Sequence, residues 1–293
     1  MARKYSVWPE SSWTSRDIGW KTARSVTAGV DIGTTSSQAA ILCDGQLFGY
    51  ASIRSGFDYK KSADRVIKQA AGDSGLTLDD IECIVSTGFG HKNVSCAAKY
   101  VDEIHCHAKG ARFMFGPEVH TVVDLGGQTV AAIRLYDWDR VRDFMMNDKC
   151  AVGMGRSLET VCELLQIPIE EIGEKSLEAD MAPEPVSTTC YCFANTETMG
   201  LFGRPEFRSA PLTETDVYAS HTVAFAWRRL GVIGRLQPQD VGDLKVYGEL
   251  CFTGGVAKNI GVTKIIEREM GVTALTSPYD PMLAGAIGAA LLA

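Results

Sequence analysis

Two carboxylates head the stretches of this chain that could do chemistry. Asp31 opens Asp31-Ile32-Gly33-Thr34-Thr35-Ser36-Ser37, and Asp124 opens Asp124-Leu125-Gly126-Gly127-Gln128-Thr129. Set side by side without a gap, Gly33 falls on Gly126, Ala39 on Ala132, Leu42 on Leu135 and Asp44 on Asp137. Each copy reads as a strand, a carboxylate, a glycine turn and a second strand. A turn of glycines and small hydroxyl residues lets backbone N–H groups close on a phosphate, because no Cβ blocks the approach. A third turn, Thr253-Gly254-Gly255-Val256-Ala257-Lys258, follows the apolar run Leu250-Cys251-Phe252 and opens a helix. Adjacent glycines there admit a flat ring or a ribose, and the helix N-terminus adds a positive dipole end. Any one of these turns alone is ordinary tight turning. Together they suit a nucleotide and its metal held between two related half-domains.

The elements needed to position these turns are legible. Strands are expected at 27–33, 39–43, 46–53 and 83–86, and again at 121–125, 130–136, 141–146 and 250–253. Ser62 is the expected cap of a helix carrying Ala63, Val66, Ile67, Ala70 and Ala71 on one face. Further helices are expected from Glu103 to about Gly116, through Leu158 to Leu165, from about Glu214 to Leu230, up to Met270, and after the Asp280-Pro281 cap pair. Pro183 to Pro185 marks a loop, and Cys190 in the segment that follows reads as lying in a loop flanked by Ser and Thr. Each half runs three strands and then alternates helix with strand, which is an α/β chain with internal pseudo-symmetry. The expected division is an arm at 1–25, a first lobe at 26–118 and a second lobe at 119–293. The arm carries Trp8, Trp13 and Trp20, so it docks either on a partner or as a cap on its own domain.

Composition narrows the class. The chain has 293 residues, 45% hydrophobic and 22% charged, enough for two cored lobes. A formal charge of -7 argues against a nucleic-acid partner. No apolar run approaches the roughly 20 residues of a membrane span, so a cytoplasmic protein without a membrane partner is expected. In that compartment nine cysteines do not form a disulfide framework. Cys43, Cys83, Cys96, Cys162 and Cys251 sit in apolar segments and read as core. Cys150 precedes a helix, where the dipole favours a thiolate, and Cys190 is flanked by Ser and Thr. Spacing alone would make both of them buried thiols.

The three turns resemble the ATP-binding superfamily of actin, sugar kinases and Hsp70 chaperones, whose fold is a duplicated ribonuclease H-like unit with a nucleotide cleft between two lobes. Within it, Ser86-Thr87-Gly88-Phe89-Gly90, Glu103-Ile104-His105-Cys106-His107-Ala108-Lys109-Gly110-Ala111, the run 147–156 and Ser187-Thr188-Thr189-Cys190-Tyr191-Cys192-Phe193-Ala194 are similar to segments of the BadF/BadG/BcrA/BcrD ATPase family. The resemblance covers about residues 28–293. It implies ATP with Mg²⁺ facing Asp31 and Asp124, and Gln128 in the catalytic set. Gly33, Thr34, Thr35, Gly126 and Gly127 would surround the phosphates, with Gly254, Gly255 and Lys258 toward the adenosine. It further implies a [4Fe–4S] cluster shared across a subunit interface, with Cys150 and Cys190 as this chain's half of the four thiolates. Cys192 falls where the family usually has a non-ligand residue.

Within the family, Asp44-Gly45-Gln46-Leu47, Ser37-Gln38-Ala39 and residues 192–197 look most like the delta subunit of benzoyl-CoA reductase. That likeness implies a related alpha-type ATPase subunit, reductase subunits that bind benzoyl-CoA, and ferredoxin as electron donor. Gln38 replaces the family's usual Lys, and Thr129 its usual Asp after Gly-Gly-Gln, which makes ATP binding firmer than ATP turnover. The alternatives are a homodimeric activator of a 2-hydroxyacyl-CoA dehydratase, a sugar or acetate kinase on the same fold, and a nucleotide sensor without catalysis.

Overall fold

The computed structural model describes residues 6–136, 140–147, 155–179, 185–187, 191–203, 213–235 and 248–293. Short strand β1 (Ser11–Thr14) is followed by the β-branched and alanine-rich runs β2 (Val26–Ile32), β3 (Ser36–Cys43) and β4 (Gln46–Arg54). The β3–β4 turn needs two residues with positive φ, and Asp44 (49°) and Gly45 (76°) provide them. Helix α1 (Tyr59–Ala71) buries Ala63, Val66, Ile67 and Ala70 against the sheet. Its cap is Asp58, whose carboxylate accepts from the Lys61 N–H at 3.1 Å, and not Ser62 as expected. Ser62 lies one turn in, buried, its hydroxyl donating to the Asp58 carbonyl. Strands β5 (Cys83–Thr87) and β6 (Lys99–Tyr100) complete a sheet ordered β1-β4-β3-β2-β5-β6, with β2 antiparallel to β3 and parallel to β5.

Helix α2 (Glu103–Phe115) leads to the second sheet, β7 (Val119–Leu125), β8 (Val130–Leu135) and β9 (Val141–Met146). Helices α3 (Gly155–Leu165), α4 (Ile172–Ser176), α5 (Tyr191–Gly203) and α6 (Glu214–Arg235) follow. Then β10 (Glu249–Thr253) pairs parallel with β7, giving the order β10-β7-β8-β9. The pattern of the first sheet thus recurs: a meander whose first strand takes a parallel neighbour on its other side. Helix α5 begins at Tyr191, directly after the Ser/Thr-flanked position of Cys190 that reads as loop. Within it the Thr198 hydroxyl donates to the Ala194 carbonyl and pairs with His221 of α6.

Helix α7 (Ile260–Met270) is capped by Asn259, whose side chain accepts from the Val262 N–H at 3.1 Å. The last helix, α8 (Ala284–Leu291), enters through the turn Pro281–Leu283, where the Asp280 carboxylate accepts from the Met282 N–H. Although it closes the chain, α8 packs on β2 and β3 of the first sheet, joining Leu283, Ala286 and Ile287 to Ala40 and Leu42. Its backbone meets α2 and β2 so closely that only glycine fits. A Cβ at Gly288 would lie 1.7 Å from the Cys106 carbonyl oxygen, one at Gly110 1.9 Å from that of Ala284, and one at Gly29 2.0 Å from that of Ala286. Gly288→Ala is therefore expected to lower stability by about 1–3 kcal/mol or more, read as a fall in Tm of several degrees. Gly231→Ala in α6, where a Cβ meets nothing within 4 Å, should leave Tm unchanged or raise it.

Candidate nucleotide cleft

The matched turns close by the same bond. The Gly33 N–H donates to the Ser36 carbonyl at 3.0 Å, and the Gly126 N–H to the Thr129 carbonyl at 3.0 Å. Each turn has a second glycine guarding its carboxylate. Gly88 (φ 79°) leaves β5, and a Cβ there would sit 2.2 Å from Asp31 Oδ1. Gly254 (φ 85°) leaves β10, and a Cβ there would sit 2.6 Å from Asp124 Oδ1. In each lobe the strand parallel to the aspartate's strand thus ends in a left-handed glycine that lets backbone pass over the carboxylate. The two turns also face each other: a Cβ at Gly127 would lie 2.6 Å from Thr35 Oγ1. Arg54 of β4 reaches Glu159 of α3 at 3.6 Å, and the Arg156 N–H donates to the Gly127 carbonyl.

Between the turns lies a cleft that opens to solvent, with a cavity volume of about 130 Å³. Asp31, Gly33, Thr34, Thr35, Asp124, Gly126, Gly127, Gln128, Gly254 and Gly255 all line it, with Gln38 and Thr129. Lys258 does not line it: its ammonium pairs with Asp280 at 2.7 Å and stands 4.9 Å from the Trp8 ring centroid. Cys150 and Cys190 lie outside the described residues. Cys192 falls in the first turn of α5. Of the described cysteines, Cys43, Cys106, Cys162 and Cys251 are buried, while Cys83 and Cys96 are partly so.

Sequence reasoning left two cavity-lining residues of α2 without a role, Glu103 and His107. Asp102 caps α2 by accepting from the His105 N–H at 3.1 Å, which aims the first turn of the helix between the lobes. His107 Nδ1 is 3.0 Å from the Thr253 hydroxyl and 3.4 Å from Asp124 Oδ1, and its Nε2 is 3.9 Å from Asp31 Oδ2. One imidazole thus spans the two aspartates. Burial raises the Asp31 carboxyl to about 6, with His107 pulling it down and Asp124 pushing it up. Burial likewise raises Glu103 to about 7, helped by the charge of Asp124. The available signal was the four-residue spacing of Glu103 and His107, which places both on one face of a helix.

The cleft suits a nucleotide with a hard divalent cation. Glycines keep both turns open where a Cβ would fill them, and the clustered carboxyls of Asp31, Asp124 and Glu103 suit a divalent cation that keeps most of its water and takes one or two carboxylates. Among the described residues no three His, Cys, Asp or Glu side chains form a direct metal cage, and no helix is long and apolar enough to cross a membrane.

Two sheets of one topology, each presenting an aspartate-led turn to a shared cleft, define the actin, Hsp70 and sugar-kinase class of two-lobed fold. Within that class, the chain belongs to the BadF/BadG/BcrA/BcrD ATPase family, which it matches over residues 28–293. It is 36% identical over 268 residues to the activator of lactoyl-CoA dehydratase of Anaerotignum propionicum, covering 91% of this chain and 96% of that protein. The activator of the 2-hydroxyisocaproyl-CoA dehydratase from Clostridium difficile, solved with bound ADPNP, superposes with a TM-score of 0.79 at 32% identity, covering 92% of this chain and 94% of that one. A benzoyl-CoA reductase subunit of Thauera aromatica is 29% identical over 276 residues, covering 91% of this chain and 92% of that protein.

These likenesses move the reading from the reductase subunit to the dehydratase activators. The short stretches that favoured the reductase have local structural causes. Asp44-Gly45 answers the positive φ of a hairpin turn, and Gln38 is a buried strand residue donating to the Ser52 hydroxyl at 3.1 Å.

Proposed function

We propose that this chain is the ATP-hydrolysing activator of a 2-hydroxyacyl-CoA dehydratase, passing a low-potential electron to that partner. The observation that carries the nucleotide half is the pair of aspartate-led turns meeting across one cleft, in a chain similar to an activator solved with an ATP analogue. Asp31 and Asp124 hold Mg²⁺ through water. The backbone N–H groups of residues 33–35 and 126–128 close on the phosphates, and Gly254 and Gly255 flank the adenosine. Glu103 takes the proton of the attacking water, supplying the carboxylate that Thr129 lacks. His107 keeps the two aspartates at a fixed separation while the lobes move.

Cys150 and Cys190 give two thiolates per chain, and a second copy gives two more, the donor set of a [4Fe–4S] cluster. When bound, that cluster supplies the one-electron chemistry. The likeness to the two dehydratase activators supports this half of the reading. Purified without oxygen, the protein should be a brown dimer with about four irons. Supplied with reduced ferredoxin as electron donor, it should consume ATP while reducing a 2-hydroxyacyl-CoA dehydratase, and not consume ATP with glucose or acetate alone as acceptor. A colourless, iron-free protein that phosphorylates a small acceptor would overturn the proposal.

A further inference from the structure

The family match begins at residue 28, so nothing in it accounts for the N-terminal arm, yet the arm is built into the cleft. It is fixed to the first lobe at several points. β1 pairs antiparallel with β4, setting Trp13 opposite Tyr50. The Trp20 indole N–H donates to the Ser74 carbonyl at 3.1 Å, and the ring packs on the first lobe's core. Glu10 accepts from the Arg54 N–H at 3.1 Å and pairs with Arg65 of α1.

Immediately before these anchors the chain crosses to the other lobe. Trp8 packs on the core cluster of the second lobe, the cluster that contains Leu125, Phe252 and Val256. Its indole lies 3.9 Å from where a Cβ of Gly255 would stand, and the Lys258 ammonium is 4.9 Å from its ring centroid. Residues 7–10 line the same cavity as the two aspartates. Pro9 restricts Trp8 to extended backbone, so little ordering entropy opposes the docked position.

We propose that residues 7–14 are an intramolecular clasp across the nucleotide cleft, anchored on the first lobe at β1 and Glu10 and fastened to the second by Trp8. Exchange of nucleotide requires the lobes to part, and they part only when Trp8 leaves Gly255 and Lys258. The arm therefore sets the rate of exchange more than the affinity. This rests on the nucleotide occupying the cleft as proposed above.

The test uses the full-length protein and stopped-flow fluorescence with mant-ADP and Mg²⁺. Trp8→Ala should speed both association and dissociation about tenfold, leaving Kd within about threefold, and Trp8→Phe should restore most of the wild-type rates. Glu10→Gln, which loosens the opposite anchor, should shift both rates the same way by a smaller factor. Rates within twofold of wild type in Trp8→Ala overturn the clasp. Faster dissociation alone also overturns it, because that marks Trp8 as a contact of the bound nucleotide. Hydrogen–deuterium exchange without nucleotide separates this proposal from the functional one. The clasp requires Trp8→Ala to lose protection at residues 252–258 while residues 27–32 keep theirs, and unchanged protection refutes it. Failure of wild type to bind mant-ADP refutes the nucleotide reading and leaves the exchange result to decide the clasp.

Discussion

Replacing Cys150 or Cys190 by serine is expected to strip iron from the protein, from about four per dimer to less than one, while Mg²⁺-dependent nucleotide affinity stays within about twofold. A serine hydroxyl is harder and far less acidic than a thiol, so it cannot supply the soft anionic donor that iron–sulfur ligation needs. The cleft proposed for the nucleotide is lined by other segments, around Asp31, Asp124 and Gly254. Cys162 and Cys251 provide the contrast. Burial pushes the Cys162 thiol up to about 12 and that of Cys251 higher still, so neither forms a thiolate near neutral pH. Alanine at either should keep the iron and cost stability on the order of 1 kcal/mol. Cys192→Ser is the informative neighbour, two residues from Cys190 and at a position where the family usually has a non-ligand residue. Full iron in the Cys190 variant with loss in the Cys192 variant would transfer the role. Full iron in all three variants would end the electron-donor reading.

Glu103→Gln should lower kcat for ATP hydrolysis by about 10²–10⁴, the range that a general base supplies, with little change in the KM for ATP. Glutamine keeps the size and hydrogen-bonding capacity but cannot take a proton. The raised value of about 7 fixes the sign of the pH dependence. A base must be ionised to act, so wild-type kcat/KM should rise with pH through about 7, and that limb should disappear in the variant. Asp124→Asn should behave differently, since it weakens Mg²⁺-dependent binding first and hydrolysis with it. If Glu103→Gln keeps more than a tenth of wild-type kcat with the same pH profile, Glu103 is not the base, and the chemistry falls to Gln128 or to solvent.

The sequence by itself determined the local parts. β-branched runs specified the strands, and the gapless match of residues 31–44 to 124–137 announced two copies of one hairpin before any contact was known. Asp280-Pro281 marked the entry to the last helix. Each of these is written in neighbouring residues, through periodicity, capping and turn chemistry. Where local chemistry was ambiguous the reading slipped. Ser62 and Asp58 are both good caps, and only the backbone path selects Asp58. The Ser and Thr residues flanking Cys190 read as loop, and the helix that begins directly afterwards at Tyr191 is secured at Thr198 by His221 of α6.

The remaining features were decided by tertiary structure, because they depend on residues far apart in the chain. That α8 packs on β2, near the opposite end of the sequence, follows from a glycine–alanine face thin enough to lie against Gly29 and Gly110. That Glu103 and His107 belong with the aspartates depends on α2 passing between the lobes, a path no spacing within α2 can express. The same holds for Trp8, whose neighbours Gly255 and Lys258 lie at the other end of the sequence, and whose place in the cleft exists only once both lobes have folded around it.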